Sequence, residues 1–352
     1  MGLKILHTAD WHMDSPFSGF PPEQQTWLKE EQRKIPGKIA ELVRRENCDL
    51  VLISGDVFDS FDARESVNIV REALASCGVP VLIAPGNHDY LAPGSPWLRD
   101  VWPDNVGILP HGLEYVVLPE LDCRIYGAGY RERECAGLLE KFRAEGPERY
   151  QIMVLHGDPM RLRSPYCPVT AAQVRDSGLS YLALGHIHKA GSFRTPGTLC
   201  GWPGCPMGRG FDETGDKGVY IVELGQRTTA RFVPLDTPCF YDLEVDMDTQ
   251  SLENILPPGE NTNFYRATLT GSGAGNVQEL KNCFPWLPHL EIIDRRTEKA
   301  DPWERMGEDT LEGIYFRMLR QKLEQAETHQ AEQIRLAAEI SRKILAGGEV
   351  TL

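Results

Sequence analysis

The chain has no Gly-x-x-x-x-Gly-Lys-Ser/Thr phosphate loop and no Gly-x-Ser-x-Gly elbow, so ATP hydrolysis and serine-esterase chemistry have no machinery in it. No run approaches the ~20 apolar residues a membrane span needs, which excludes a spanning helix. The nine cysteines are odd in number and include no Cys-x-x-Cys pair; with no apolar leader after Met1, they read as reduced thiols of a cytoplasmic protein. Basic charge is scarce: 37 Lys and Arg stand against 51 Asp and Glu, a net charge of −14. Nonspecific nucleic-acid affinity comes mainly from Lys and Arg on phosphates, so this balance offers DNA little help unless bound metals supply local positive charge. At 352 residues, with 41% hydrophobic and 25% charged, the chain reads as a large globular domain plus smaller parts.

What the sequence does hold is a series of short polar segments, each just after an apolar run. They are Asp10-Trp11-His12, Gly55-Asp56-Val57-Phe58-Asp59, Gly86-Asn87-His88-Asp89, Leu155-His156-Gly157 and Gly185-His186-Ile187-His188. Together they supply carboxylate, amide and imidazole groups of the kind that suits manganese, iron or zinc. The apolar runs, Leu3 to Leu6, Leu50 to Ile53, Val79 to Ile83, Ile152 to Leu155 and Tyr181 to Leu184, read as buried strands. Between the first three lie helical patterns over Pro36 to Arg45 and Arg64 to Cys77, an alternation that predicts a parallel α/β sheet. Loops leaving the carboxyl ends of such strands converge on one edge, where ligands bind.

Singly, each residue has an ordinary explanation. Asp10, Asp56 and Asn87 suit helix caps and turns, and a lone histidine is usually a surface or satisfied core residue. Five of the nine histidines fall in these loops, however, and that joint occurrence predicts one shared dinuclear site. His7, His111, His289 and His329 keep the ordinary explanation, His7 standing behind the ligands at most.

Asp-x-His, Gly-Asp-x-x-Asp, Gly-Asn-His-Asp, a lone His and Gly-His-x-His, in that order, resemble the calcineurin-like metallophosphoesterases. Within that superfamily, Ile5 to His12 is similar to the SbcD-type DNA-repair nucleases, and Asp14 to Phe17 and Gly208 to Gly218 to their YhaO-like branch. The resemblance implies an α/β fold: a sandwich of two central β-sheets flanked by helices, with a small α/β capping domain and C-terminal helices. It implies that Asp10, His12, Asp56 and His188 hold one divalent metal, and Asp56, Asn87, His156 and His186 the other. Mn²⁺ is the expected ion, with Fe²⁺ and Zn²⁺ as alternatives. Asp56 bridges in this scheme, a water made acidic by the metals attacks phosphorus, and no Ser or Cys nucleophile is required. His88 is the expected catalytic residue, stabilising developing charge and protonating the leaving oxygen. Asp59 and Asp89 are candidates for orienting a histidine, or are plain turn residues. Arg161, Arg163 and Arg209, with Lys189 and Arg194, are candidate phosphate contacts, or solvated loop charge.

The pattern changes along the chain predict a catalytic domain over 1–236, closed by paired strands Val219 to Leu224 and Arg231 to Pro234 around Gln226. A small α/β module follows over 239–296, without a basic stripe or aromatic platform for nucleic acid. Residues 301–346 form a C-terminal helical segment of two amphipathic helices, or one long helix with a weak middle. From the resemblance, the partners are DNA, an SbcC-like coiled-coil ATPase docked on those helices and a second copy in a homodimer. The function expected is a metal-dependent DNA exo- or endonuclease. A small-molecule phosphodiesterase or phosphatase and a non-catalytic DNA-end-binding protein are the alternatives.

Overall fold

A computed structural model of the chain describes residues 2–61, 63–272, 276–297 and 303–345; positions 301, 302 and 346 of the expected helical segment lie outside them. The chain begins β1 (Leu3–Thr8), α1 (Pro22–Arg33), α2 (Ile35–Glu46), β2 (Leu50–Ile53), α3 (Val67–Ser76), β3 (Val81–Ile83), α4 (Pro96–Arg99) and β4 (Val106–Ile108). It continues β5 (Glu114–Leu118), β6 (Cys123–Ala128), β7 (Tyr150–His156), α5 (Ala171–Asp176), β8 (Tyr181–Gly185), β9 (Gly191–Thr195), β10 (Thr198–Trp202), β11 (Gly218–Leu224) and β12 (Thr229–Pro234). The remainder is β13 (Phe240–Asp246), α6 (Leu252–Ile255), β14 (Phe264–Thr270), α7 (Val277–Asn282), β15 (His289–Asp294), α8 (Leu311–Glu324) and α9 (Thr328–Leu345).

These elements fall into two compact units. The first (Met1–Asp242, Gly259–Arg266 and Trp286–Leu290) contains two six-stranded sheets, ordered β12-β11-β1-β2-β3-β4 and β5-β6-β7-β8-β10-β9. Strands β1 to β4 are parallel, as are β6, β7, β8 and β10, while β11, β12, β5 and β9 pair antiparallel. A parallel sheet is what the β–α alternation predicts, and the paired strands expected at Val219 to Leu224 and Arg231 to Pro234 are its antiparallel β11–β12 edge; the edge strands β5 and β9 and most of the second sheet were not predicted from the residues.

Side-chain alternation explains why two sheets form a sandwich. Successive residues of a strand point to opposite faces. Ile5, Leu50, Leu52 and Leu82 of the first sheet share one core with Ile125, Ile152, Val154 and Ala183 of the second. Their neighbours Leu6, Val51, Ile53 and Val81 face the other way, into a core with Ile39, Leu42, Val43, Val70 and Leu74 of α2 and α3. Met153, Leu155, Leu182 and Leu184 likewise build a third core with Val174 of α5. Strand segments buried on both faces are largely apolar, which is why Leu50 to Ile53, Ile152 to Leu155 and Tyr181 to Leu184 read as continuous hydrophobic runs.

The second unit (Leu243–Pro258, Ala267–Pro285 and Glu291–Leu352) carries most of the three-stranded sheet β13-β14-β15 with α6 and α7, and then α8 and α9. Two helices, not one, occupy the C-terminal segment, separated at residues 325–327. Thr310 caps α8 by accepting from the Gly313 amide, and Tyr315 Oη lies 2.8 Å from Ser341 Oγ of α9. No helix among the described residues is long and apolar enough to cross a membrane.

Candidate metal centre

The ligand-bearing loops leave the carboxyl ends of β1, β2, β3, β7 and β8, so both sheets present them at one edge of the sandwich. Cross-loop hydrogen bonds bind the loops together. Asp10 N donates to Gly55 O at 3.0 Å, His12 N to Asp56 O at 3.0 Å, His88 N to Asp56 Oδ1 at 2.9 Å and His186 N to Asp10 Oδ1 at 3.0 Å. The loops reach this geometry through strained backbone: Asp10, His12, Asp56 and His186 have φ of 55°, 47°, 51° and 87°, a left-handed region that non-glycine residues rarely adopt. Two glycines are required by close approach. A Cβ on Gly86 would lie 2.2 Å from Asp56 Oδ1, and one on Gly185 would lie 2.0 Å from Ser54 O.

The result is a buried cluster of donor atoms. Asp10, His12, Asp56 and His156 are each at most 1% exposed, and three groups, Asp10–His12–His188, His12–Asp56–His88 and Asp10–Asp56–His156, each bring their ligand atoms within 4.8 Å of one another. His156 Nε2 lies 2.9 Å from Asn87 Oδ1 and 3.3 Å from Asp56 Oδ2. His186 falls in none of the three groups. Its ring sits edge-on to His156 at 5.2 Å between centroids and against Tyr166 at 4.5 Å.

The outer nitrogens decide where the inner lone pairs point. His156 Nδ1 donates to Ser54 O at 2.8 Å, His12 Nδ1 to Asp59 Oδ1 at 3.0 Å and His188 Nδ1 to Glu213 Oε1 at 2.6 Å. With their protons outward, the Nε2 atoms of His12 and His188 face each other across 3.2 Å. Two nitrogens at that distance need a positive centre between them, a shared proton or a coordinated cation, because bare lone pairs would repel. The donor set therefore fits divalent metal ions, with Asp10, His12, Asp56 and His188 on one side and Asp56, Asn87 and His156 on the other.

Electrostatics agree with a site built for positive charge. Burial disfavours the charged form of Asp56, but His156 and His12 overcome it and hold the carboxyl well below the usual range. Burial likewise opposes charge on His156, yet Asp56 and Asp10 raise it to about 9, so the carboxylates there favour positive charge beside them. Burial and the neighbouring His156 lower His186 to about 4.

The other expected residues divide between the cluster and its surroundings. Asp59 faces the His12 imidazole, and its carbonyl accepts from His88 Nδ1 at 3.1 Å. Asp89 accepts from the amides of Val57 and Gly86, each at 2.8 Å, so it fastens two loops and its hydrogen bonds come from backbone, not from a histidine. Arg209, a candidate phosphate contact, has its guanidinium beside His188, bonded to Glu213 at 2.7 Å and Asp59 at 3.3 Å. Its Nη2 also approaches His188 Nδ1 at 3.1 Å, but two donors do not bond, and Glu213 takes the His188 proton. His88, with 41% of its side chain exposed, lines a cavity of about 510 Å³ with Asn87, Phe61, Tyr90, Arg133 and Tyr166. Arg161 and Arg163 line a second cavity of about 390 Å³ with His186 and Tyr166. Lys189 is exposed on its loop, and Arg194 lies elsewhere, donating to Thr228 O. Residue patterns missed Glu213, Tyr166 and Arg133; only Glu213 had a signal, as part of the Gly208 to Gly218 stretch.

A two-sheet α/β sandwich with this donor cluster at the ends of its strands defines a metal-dependent hydrolase. Residues 3–190, more than half of the sequence, match the family described as calcineurin-like phosphoesterase, and the chain belongs to that family of phosphoester hydrolases, whose sites are dinuclear. Among similar proteins is the uncharacterized metallophosphoesterase YhaO of Bacillus subtilis, 33% identical over 239 residues; the match takes in 63% of this chain and 57% of that one. The SbcD component of the nuclease SbcCD from Staphylococcus epidermidis is 21% identical over 94% of this chain and 98% of its own. A solved dimetal phosphatase from Danio rerio is 14% identical, with a TM-score of 0.44, covering 65% of this chain and 96% of that one.

Proposed function

We propose that the chain is a dinuclear-metal phosphodiesterase that cleaves DNA. Asp10, His12, Asp56 and His188 hold one cation and Asp56, Asn87, His156 and His186 the other, with Mn²⁺ as the native ion. When bound, such a pair lowers the pKa of water and offsets the charge gathering on phosphorus. The side chains do the rest. Asp56 keeps the two positions together, while Ser54, Asp59 and Glu213 hold the histidine Nδ1 protons outward so that the Nε2 donors stay aimed inward. His88 rests its Nδ1–H on the Asp59 carbonyl, so that the doubly protonated ring would give its Nε2 proton to the leaving oxygen and stay neutral on Nδ1–H. Distance alone also groups His88 with His12 and Asp56, but its exposure fits a residue that meets substrate.

The observation that favours a diester is that two cavities adjoin the cluster, one lined by His88 and one by His186, with Tyr166 common to both. A monoester needs room on one side of phosphorus; a chain needs it on both. Arg133 in one cavity and Arg161 and Arg163 in the other are suited to flanking phosphates. The broad likeness to a nuclease component supports DNA as the chain in question. In this scheme residues 1–236 are catalytic, 239–296 select substrate, and 301–346 meet an SbcC-like coiled-coil ATPase. The exposed Leu311, Ile314, Met318 and Ile344 support that last role. A homodimer is part of the same proposal.

The net charge of −14 favours a second candidate, a phosphoesterase for small molecules. Purified protein with Mn²⁺, assayed side by side on single- and double-stranded DNA, bis-p-nitrophenyl phosphate and p-nitrophenyl phosphate, separates the two. Cleavage of DNA and the diester is the expected result, and turnover of the monoester alone defeats the nuclease assignment.

A further inference from the structure

A third cavity, of about 500 Å³, lies at the opposite end of the parallel strands from the metal-ligand loops. It is walled by the first residues of β7, the residue before β8, the β9–β10 turn and the β11–β12 turn. We infer that it is a binding site for a small phosphate ester, of the size of a nucleoside 5′-monophosphate, separate from the metal centre.

Charge is the first reason. Arg149, Arg194 and Arg227 all line the cavity, and no Asp or Glu does, in a chain where acids outnumber bases 51 to 37. The adjacent Glu148 is engaged elsewhere, gripping Arg124 through both oxygens at 2.9 and 3.1 Å. Neither Arg149 nor Arg227 forms an ion pair among the described residues, and all three arginines are exposed, so the lining presents to solvent positive charge that no carboxylate of the lining neutralises. Guanidinium is also the side chain whose forked donors match phosphate oxygens in pairs.

The second reason is unpaired polarity. Of the buried side-chain polar atoms without a hydrogen-bond partner among the described residues, two belong to this lining: Tyr150 Oη and Thr195 Oγ1. Tyr150 is only 6% exposed, and buried hydroxyls are nearly always bonded, so the wall of this cavity holds two oxygens that lack the partner such groups ordinarily have. The Arg149 guanidinium stands 4.9 Å over the Tyr150 ring, and Arg194 is braced by its bond to Thr228 O at 2.6 Å, so two of the three cations are already held in place. The volume falls within the range of small-ligand sites.

The test is calorimetric titration of the full-length protein, Mn²⁺-loaded and again after chelation, with inorganic phosphate, a nucleoside 5′-monophosphate and the unphosphorylated nucleoside. Saturable binding of the two phosphorylated probes that survives chelation, with none of the nucleoside, is expected. The Arg149→Ala/Arg227→Ala variant should weaken that binding by about tenfold or more, because charge-assisted hydrogen bonds are lost, while hydrolysis of bis-p-nitrophenyl phosphate persists. Tyr150→Phe, which removes one oxygen and keeps the ring, should weaken it without lowering the melting temperature. Binding of inorganic phosphate without the nucleotide would overturn the ester assignment. No saturable binding after chelation, equal binding by the double variant, or binding only of an oligonucleotide would each overturn the inference as a whole.

Discussion

Replacing Glu213 by Gln isolates the part of the metal centre that residue patterns did not reveal. Glu213 is 8% exposed and accepts from His188 Nδ1 at 2.6 Å, from Arg209 Nη2 at 2.7 Å and from the Arg209 amide at 2.9 Å. Burial disfavours its charge, but the His188 and Arg209 hydrogen bonds overcome this and hold the carboxyl well below the usual range. Gln keeps the shape and one carbonyl acceptor but loses the charge that makes His188 a stronger base and balances Arg209. Losing such a partner typically costs 10–100-fold in metal affinity, or about 1.4–2.7 kcal/mol. The loss should fall on the His12–His188 position and leave the His156–Asn87 position unchanged, because Ser54 and not Glu213 holds His156. Calorimetric titration of metal-free protein with Mn²⁺ resolves the two: one affinity drops and one does not. If both sites weaken equally, or neither does, then Glu213 does not position His188.

Three further outcomes are expected. His88→Asn should bind two metals as before, by elemental analysis, yet lose roughly 10²–10⁴ in turnover of bis-p-nitrophenyl phosphate, whereas Asp56→Asn should lose metal; full activity of His88→Asn refutes its proton-donor role. Gly86→Ala sets a Cβ 2.2 Å from Asp56 Oδ1 and 2.8 Å from the Asp56 amide, so it should cost about 1–3 kcal/mol in chemical unfolding and lower metal content. His7 is fully buried between Tyr181 Oη at 2.7 Å and Ser54 Oγ at 2.9 Å, and burial lowers its pKa from 6.5 to about 3. Between those values the unfolded chain binds a proton that the folded one does not, so stability should fall as pH drops below 6.5, by an amount on the order of 5 kcal/mol at the limit. Urea midpoints measured from pH 7 to pH 4 should show a shallower acid limb in His7→Gln; an unchanged slope assigns acid sensitivity to other groups.

Much of the fold was legible because burial on both faces leaves no room for polar residues. Strands β2 and β8 are apolar runs for that reason, β1 and β7 carry the runs Ile5-Leu6 and Ile152 to Leu155, and α2 and α3 show their buried stripes at helical spacing. The edge strand β9, Gly-Ser-Phe-Arg-Thr, alternates between exposed and half-buried residues and carries no such run, and β5 begins with exposed Glu114 and Tyr115. Their pairing is set by neighbours distant in the chain. The same distinction separates the proposed ligands from their supports. Asp10, His12, Asp56, Asn87, His156, His186 and His188 each stand at the end of a strand or in a short motif, which local sequence marks. Glu213 meets His188 from 25 residues away, and Ser54 meets His156 across 102.

Sequence alone determined the candidate ligand types, their order and the strands that carry them, because hydrophobic periodicity and short motifs are local properties. Tertiary structure decided the rest. It set Arg209, a candidate phosphate contact, against Asp59 and Glu213, put Asp89 on backbone amides, and carried Arg194 to the far end of the sheets. A side chain's role depends on the field and partners it meets, and in this chain those partners arrive from other strands and loops. Only folding brings them within the roughly 3 Å at which hydrogen bonds form.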